Sequence, residues 1–282
     1  MKNKSSIAIL LATYNSADYL EAQLDSLLNQ TVEDWTLFIS DDGSEDRTIG
    51  IIDKYVNTYP GKIFRLNLNS KNMGASLNFQ SLWEHIDSAY YMFCDHDDYW
   101  LPYKIKHTLY KMKIMEEQYP DQGIVVHTDL VVVDEHLRVI HPSFYSYLRT
   151  DPVKFGTFNY LGVANCVTGC TMMLNAAVKQ IVPPIPDRSI WHDWWLALNV
   201  AKKGKVAYLA EQTILYRQHK NNVVGARKVG IKYLLDILLH LKKTLALDVN
   251  NYKYFKTVGY GSPFKYMFYK LYFQIRRYRI RN

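Results

Sequence analysis

The stretch Tyr91-Met92-Phe93-Cys94-Asp95-His96-Asp97-Asp98-Tyr99-Trp100-Leu101-Pro102-Tyr103-Lys104 decides how the rest of the chain is read. An apolar run stops in three carboxylates with a histidine among them, and Trp100 and Pro102 then lead into a helical pattern. This is the pattern of the C-terminal end of a strand, where open α/β sheets bind their ligands. Carboxylates this close repel one another unless positive charge lies among them, and a divalent cation carrying a diphosphate would supply it. A solvated acidic turn with Asp98 capping the next helix has the same composition. The apolar approach and the aromatic exit exceed what such a turn requires.

Toward the N-terminus, residues 7–12 form an unbroken apolar run, the pattern of a strand buried on both faces of a mostly parallel sheet. The spacing of Tyr19, Leu20, Leu24, Leu27 and Leu28 predicts an amphipathic helix over 17–30. A strand over 35–40 ends in Asp41-Asp42-Gly43-Ser44, a helix follows over 48–59, and a third strand covers 63–68. This alternation opens a doubly wound α/β fold. The chain has neither a Gly-rich fingerprint after the first strand nor a P-loop, so dinucleotide and P-loop readings lose their support. Polar residues stand at the strand ends instead: Thr13, Tyr14 and Asn15, then Asp41 and Asp42. Carboxylates there can hydrogen-bond a base or ribose, although an ordinary Asp/Gly turn uses the same residues. Lys71, Asn72, Gly74 and Ser76 precede a helix over 77–85, where backbone N–H groups could meet an anion or belong to a plain capped loop.

Toward the C-terminus, a helix is expected over 103–119, strands over 123–126 and 130–133, and a hairpin turn at Asp134-Glu135-His136. Residues 142–160 are aromatic without a period, and so long an irregular segment suits an acceptor-side lid. Residues 165–174 read as a strand in which Gly169, within Thr168-Gly169-Cys170, allows close backbone approach. Trp191-His192-Asp193-Trp194-Trp195 opens a helix running to 201. Desolvation by the tryptophans would raise the Asp193 pKa and make it a better base, while a capping aspartate beside core tryptophans has the same pattern. A strand over 206–210 precedes Tyr216-Arg217-Gln218-His219, where Arg217 and His219 share one side of an extended segment.

Cys94, Cys166 and Cys170 lack paired spacing, which argues against a disulfide framework or zinc site and fits a reducing cytosol. From Tyr216 to the end stand 15 Lys and Arg against 2 Asp and Glu, although the whole chain carries only +7. The body is therefore acidic, which speaks against a nucleic-acid-binding fold. No run approaches the roughly eighteen consecutive apolar residues of a membrane span, and the start of the chain turns polar too soon for a signal peptide. Leu234, Leu235, Leu238, Leu241 and Leu245 make a helical stripe, and no acidic residue follows Asp248. Residues 264–281 mix aromatic and aliphatic side chains with Lys265, Lys270, Arg276, Arg277, Arg279 and Arg281. That suits an interfacial helix on an anionic membrane surface, at about 1 kcal/mol per nearby cation. An oligomer contact and a nucleic-acid arm are the alternatives, although the arm would leave the apolar face unused.

Taken together, the motifs resemble glycosyltransferase family 2, of GT-A fold, and within it the rhamnosyltransferase-like branch. The resemblance covers about residues 5–225 and rests on Thr13-Tyr14-Asn15, Asp41-Asp42-Gly43-Ser44, Asn72-x-Gly74, the stretch from Asp95 to Lys104, Thr168-Gly169-Cys170, His192-Asp193-Trp194-Trp195 and Tyr216-Arg217-Gln218-His219. It implies an α/β, Rossmann-like catalytic domain over 1–225 with helices flanking a mostly parallel sheet, and a helical basic extension over 226–282. It further implies that Thr13, Tyr14, Asn15, Asp41, Asp42, Lys71, Asn72, Gly74, Asp95 and His96 hold the donor nucleotide. Asp95, Asp97 and His219 would hold Mg²⁺ or Mn²⁺, with the imidazole of His96 favouring Mn²⁺. Asp193 matches the base. Lys104, Gly169, Cys170, His192, Trp194 and Arg217 would line the diphosphate and acceptor side. The implied activity is inverting transfer of a sugar, rhamnose favoured, from a dTDP- or UDP-sugar to a surface-glycan or lipid-linked acceptor. The implied setting is cytoplasmic, peripheral at the inner face of the cell membrane, and a homo-oligomer is compatible with it. Two other readings stay open: a non-catalytic glycan- or partner-binding protein on this fold, and a sugar nucleotidyltransferase. The latter calls for a Gly-rich loop after the first strand, and Thr13-Tyr14-Asn15-Ser16 has no such character.

Overall fold

The computed structural model describes residues 5–68, 72–186, 190–220, 222 and 241–279. Strands β1 (Ile7–Thr13), β2 (Trp35–Asp41), β3 (Ile63–Leu66) and β4 (Tyr90–Cys94) are parallel, in the order β3-β2-β1-β4. They are joined by α1 (Leu20–Leu28), α2 (Thr48–Thr58) and α3 (Ala75–His85). Burial on both faces explains the unbroken apolar run of β1, because alternate residues enter different cores. Ile7, Ile9 and Leu11 pack with Leu20, Leu24 and Leu27 of α1, whereas Ala8, Leu10 and Ala12 pack with Phe79, Leu82 and Trp83 of α3.

Beyond β4 the sheet changes character. β8 (Met173–Asn175) lies antiparallel between β4 and β6 (Ile124–Asp134), and β9 (Lys205–Gln218) runs parallel to β6. β5 (Tyr99–Trp100) pairs antiparallel with β9, and β7 (Val139–His141) folds back on β6 as the expected hairpin. The parallel expectation thus describes the first four strands, and the second half of the sheet is mixed.

Two expected strand breaks are absent. His127, Thr128 and Asp129 lie inside β6, whose register with β9 slips at Asp129 without ending the strand. His127 and Thr128 are fully buried, with His127 Nδ1 2.9 Å from Tyr145 Oη and Thr128 Oγ1 2.6 Å from Thr213 Oγ1. Polar residues that resemble a turn are here bonded members of the core. Likewise β9 continues unbroken through Glu211, Gln212 and Thr213.

The lid expected over 142–160 is corrected. The segment folds as three single-turn helices, α5 (Phe144–Tyr147), α6 (Pro152–Phe155) and α7 (Phe158–Leu161), with Tyr145, Phe155 and Leu161 buried. Ser143 accepts from the Ser146 N–H, and Asp151 from those of Val153 and Lys154, so the starts of α5 and α6 are capped. Helices of one turn leave no period to read. The strand expected over 165–174 shrinks to β8, preceded by a 3₁₀ turn over Gly169–Thr171.

α4 (Lys104–Gln118), α8 (Val178–Ile181) and α9 (His192–Lys203) complete the body. The tail contributes α10 (Leu241–Thr257) and α11 (Pro263–Arg279), and Phe255, Tyr266 and Phe273 of these helices, with Tyr260 between them, enter the core that also holds Phe79 and Trp195. Leu234, Leu235, Leu238 and Arg281 lie outside the described residues. Among the described residues, no helix is long and apolar enough to cross a membrane. All three cysteines are free and buried.

Gly162, just after α7, marks where the tail meets the body. A Cβ there would lie 1.7 Å from the Tyr260 ring, whose hydroxyl donates to the Asn159 carbonyl. We expect Gly162→Ala to lower stability by about 1–3 kcal/mol in urea unfolding. Unchanged stability would mean that the tail does not seat on α7.

Candidate active site

β4 delivers the acidic residues because its side chains are anchored on both faces up to the last one. Tyr91 and Phe93 lie in one core, Met92 and Cys94 in the other. The carboxylates that follow then separate. Asp98 is fully buried and accepts from the Arg217 N–H at 3.3 Å, so it caps no helix. Ligand atoms of Asp95, Asp98 and Cys170 lie within 4.8 Å of one another. Asp97 places its Oδ2 2.9 Å from His219 Nε2 and 3.3 Å from Asn222 Nδ2.

The 3₁₀ turn that begins at Gly169 joins this loop to the expected base. The Gly169 N–H donates to Asp193 Oδ2 at 3.0 Å, and the Trp194 N–H to Oδ1 at 2.6 Å. The next residue, Cys170, is the one that meets Asp95 and Asp98. Adjacent residues of one turn therefore hold Asp193 and touch the acidic loop. Glycine is required at 169, because a Cβ would lie 2.8 Å from His192 Nε2 and 3.3 Å from Asp193 Cβ. Asp193 sits in the first turn of α9 without capping it.

The electrostatics separate the acids further. Burial, then the charges of Asp97 and Asp193, push Asp95 up to about 7. Burial also raises Asp193, to about 6, against the backbone N–H bonds that favour its ionised form. At Asp97 burial acts the same way, but the His219 hydrogen bond and the charges of His96 and His219 outweigh it and hold the carboxyl below its ordinary range. Burial and the neighbouring carboxylates push Asp98 and the Cys170 thiol well up.

The loops after β1, β2 and β3 are tied together beside this cluster. Thr13 Oγ1 donates to Asp41 Oδ1 at 2.7 Å, and Asp41 Oδ2 accepts from the N–H groups of Gly43 and Ser44 at 3.0 and 2.7 Å. Asn15, at φ +47°, accepts from the Glu45 N–H at 2.9 Å. Asp42 accepts from the N–H groups of Met73 and Gly74 at 2.9 and 2.7 Å. The expected presentation of the Gly74 N–H to an anion is therefore corrected, since Asp42 already occupies it. Tyr14 and Asn72 are exposed, and His96 is partly so. Lys71 lies outside the described residues.

Four residues expected on the diphosphate and acceptor side are placed elsewhere. Lys104 is fully buried behind the acidic loop, its Nζ 4.5 Å from the centre of the Trp100 ring, and burial lowers its pKa to about 8. His192 packs between Phe79 and Phe93, with ring centres 4.3 and 5.0 Å away, and burial holds it neutral with a pKa of about 3. Trp194 donates to the Leu161 carbonyl, and its ring centre lies 4.9 Å from that of Phe255 of the tail with the planes inclined at 60°. Arg217 binds the carbonyls of Asp97 and Glu135 at 2.8 and 2.7 Å, so it fixes the loop backbone. Its guanidinium also lies 4.7 Å from the centre of the Tyr19 ring, which in turn lies 4.6 Å from that of His219. Asn165, whose side chain bonds Asp193, Asn222 beside Asp97 and Tyr19 against Arg217 are site residues that the motifs do not mark. Asn222, three residues past His219 in a polar stretch, was the one with a signal to find.

The chain matches the family model described as glycosyl transferase family 2 over residues 8–182. It is 29% identical over 227 residues to the dTDP-rhamnosyl transferase RfbG of Shigella flexneri, covering 77% of this chain and 74% of that one. It is 24% identical over 273 residues to an uncharacterized glycosyltransferase of Nostoc, covering 90% and 82%. Among solved structures it resembles residues 1–349 of Staphylococcus aureus TarS in complex with UDP-GlcNAc, with TM-score 0.57, 16% identity and coverage of 82% and 64%. A mannosyltransferase of Pyrobaculum calidifontis in complex with GDP-Man and Mn²⁺ gives TM-score 0.57, 14% identity and coverage of 77% and 58%. The chain thus spans less than two thirds of each of those two structures. At such identities these likenesses show the fold, which is GT-A.

Gly169 gives the geometry its test. We expect Gly169→Ala to lower the turnover of any reaction that uses Asp193 by about tenfold or more, because it displaces that carboxylate. Nucleotide affinity should stay within about twofold, since the loops after β1 and β2 are not involved. Unaltered turnover in steady-state kinetics would show that the turn does not position Asp193.

Proposed function

The chain belongs to glycosyl transferase family 2, and from that premise we propose that it moves a sugar from a nucleoside-diphosphate donor to an acceptor hydroxyl with inversion at the anomeric carbon. The observation that carries this reading is the single turn that holds Asp193 by one residue and meets Asp95 by the next. Base and acidic loop then face one space in which a sugar carbon can lie between them. A dTDP-sugar, rhamnose favoured, is the preferred donor because the Shigella relative is named for it. UDP-sugars come next. The acceptor is a surface glycan or a lipid-linked one.

A divalent cation, Mg²⁺ or Mn²⁺, is part of the reading. Asp95, Asp97 and His219 offer carboxylate oxygens and an imidazole nitrogen, donors that suit either ion. They fit it electrostatically too, because Asp95 is pushed to about 7 by burial and uncompensated negative neighbours, the condition that a cation relieves. The trio of Asp95, Asp98 and Cys170 fits less well. Asp98 and Cys170 are buried, the thiol keeps its proton, and the buried ammonium of Lys104 lies close enough to interact with both. When bound, the ion neutralises the departing diphosphate as a Lewis acid.

The chain's own residues do the rest. Asp193 takes the proton of the acceptor hydroxyl, a general-base contribution of about 10²–10⁴ in rate. The N–H bonds from Gly169 and Trp194 keep its oxygens oriented for that proton. A single base opposite the leaving group gives direct displacement, with no second carboxylate acting as nucleophile. Arg217 and His219 hold the Asp97 segment in place. Exposed Tyr14 is available to stack on the nucleobase beside the loops that Asp41, Asp42, Thr13 and Asn15 shape.

Three measurements follow. Asp193→Asn should lower transfer by about 10² or more and leave donor affinity nearly intact, and substantial transfer by this variant would place the base elsewhere. Because the Asp193 pKa is raised to about 6, the carboxyl is protonated below that pH and cannot accept a proton. Transfer should therefore rise as pH increases through about 6 and level off above it, and a flat profile from pH 5 to 8 would contradict the assignment. Asp97→Ala should abolish the metal-dependent part of donor affinity in calorimetry, and unchanged affinity would count against the cation site.

A further inference from the structure

α11 carries two faces with different fates. Tyr266, Phe273 and Arg277 are buried against the body, and the Arg277 guanidinium donates to the Leu148 carbonyl. On the other side Phe264, Met267, Phe268, Leu271 and Ile275 are 88%, 60%, 62%, 63% and 43% exposed. At 100° per residue these five fall within an arc of about 100°. An exposed apolar stripe this continuous is not incidental surface.

Charge identifies what covers it. Lys265, Tyr272 and Arg276 run along one flank of the stripe, about 80–120° from Phe264. Tyr272 Oη there accepts from Arg276 Nε at 2.7 Å and from Lys154 Nζ at 3.4 Å, which gathers cations at that edge. No acidic residue follows Asp248, whose carboxylate is already taken by Lys270 at 2.8 Å. A second copy seated on the same stripe would set these cations against their own images with no carboxylate from the helix to pair them. A flat anionic surface with an apolar interior meets both features at once.

We propose that α11 is an interfacial helix that docks the protein on an anionic phospholipid bilayer through Phe264, Met267, Phe268, Leu271 and Ile275. The buried face is what orients it. Phe273 packs 4.8 Å from Phe155, and Tyr269 lies 5.2 Å from Tyr160, ring centre to ring centre, so the helix is fixed to α6 and α7. Trp194, the neighbour of Asp193, donates to the last residue of α7 and packs against the Phe255 ring of α10. Docking therefore holds the Asp193 side of the site at a set height above the bilayer, where a lipid-linked hydroxyl would be presented. The docking itself does not rest on the transferase reading, since it needs neither donor nor acceptor.

The test is flotation of the full chain with vesicles of phosphatidylglycerol and phosphatidylethanolamine, against vesicles of phosphatidylcholine alone. The protein is expected to float with the anionic vesicles, weakly with the neutral ones, and less as salt is raised. Phe268→Glu with Leu271→Glu, both on exposed positions, should lower vesicle binding by about tenfold or more while leaving the thermal unfolding midpoint and donor hydrolysis unchanged. Lys265→Gln with Arg276→Gln should weaken binding to the anionic vesicles only. Failure of the native chain to float, or equal flotation of the Phe268/Leu271 variant, overturns the proposal. So does light scattering in which that variant dissociates an oligomer while the native chain binds no vesicles, which assigns the stripe to a second copy. Lost transfer with intact flotation would count against the catalytic assignments alone.

Discussion

A backbone N–H at Gly169, donated to a carboxylate 24 residues further along the chain, is the contact on which the site depends. It works because β8 runs antiparallel between β4 and β6, which brings the turn before β8 to the end of β4 where the acidic loop begins. A parallel strand in that place would have put the turn at the opposite end of β4. The break in the parallel pattern is thus what brings two separate acidic motifs together.

Negative charge buried at such density needs compensation, and the fold provides it mainly from behind. Lys104 stands under the loop, Arg217 ties the Asp97 carbonyl to that of Glu135, and His219 bonds the Asp97 side chain. None of these neutralises Asp95, which stays near the point of protonation. The result is a loop held rigidly from one side with an electrostatic deficit on the other, which is the preorganisation that charge-stabilising catalysis requires. Lys104 and Arg217 accordingly act as supports of the loop, although their position in the motifs suggested the diphosphate.

How much of this could be read in the chain depended on whether the signal was local. The first four strands and their helices are legible because burial on two faces leaves unbroken apolar runs. Asp95, Asp97 and Asp193 stand out by residue type and by their place at element ends, and Gly169 as a glycine inside a strand-like run. Contacts set by tertiary packing were not legible. His127, Thr128 and Asp129 look like a turn and lie inside a strand, because each of the two polar side chains before the bulge finds a buried side-chain partner. Residues 142–160 look irregular because one-turn helices have no period. His192 resembles a ligand and is an apolar packing residue, which only the proximity of Phe79 and Phe93 reveals.

The central claim is that the acidic loop and Asp193 open onto one cavity in which the cation lies on the Asp97 side. Anomalous diffraction from a crystal soaked in Mn²⁺ and a nucleoside diphosphate measures this directly. The account predicts a peak within coordination distance of Asp95, Asp97 and His219, with the carboxylate of Asp193 facing the same space. A peak enclosed behind the loop by Asp98 and Cys170, or an Asp193 carboxylate walled off from the metal, would contradict it.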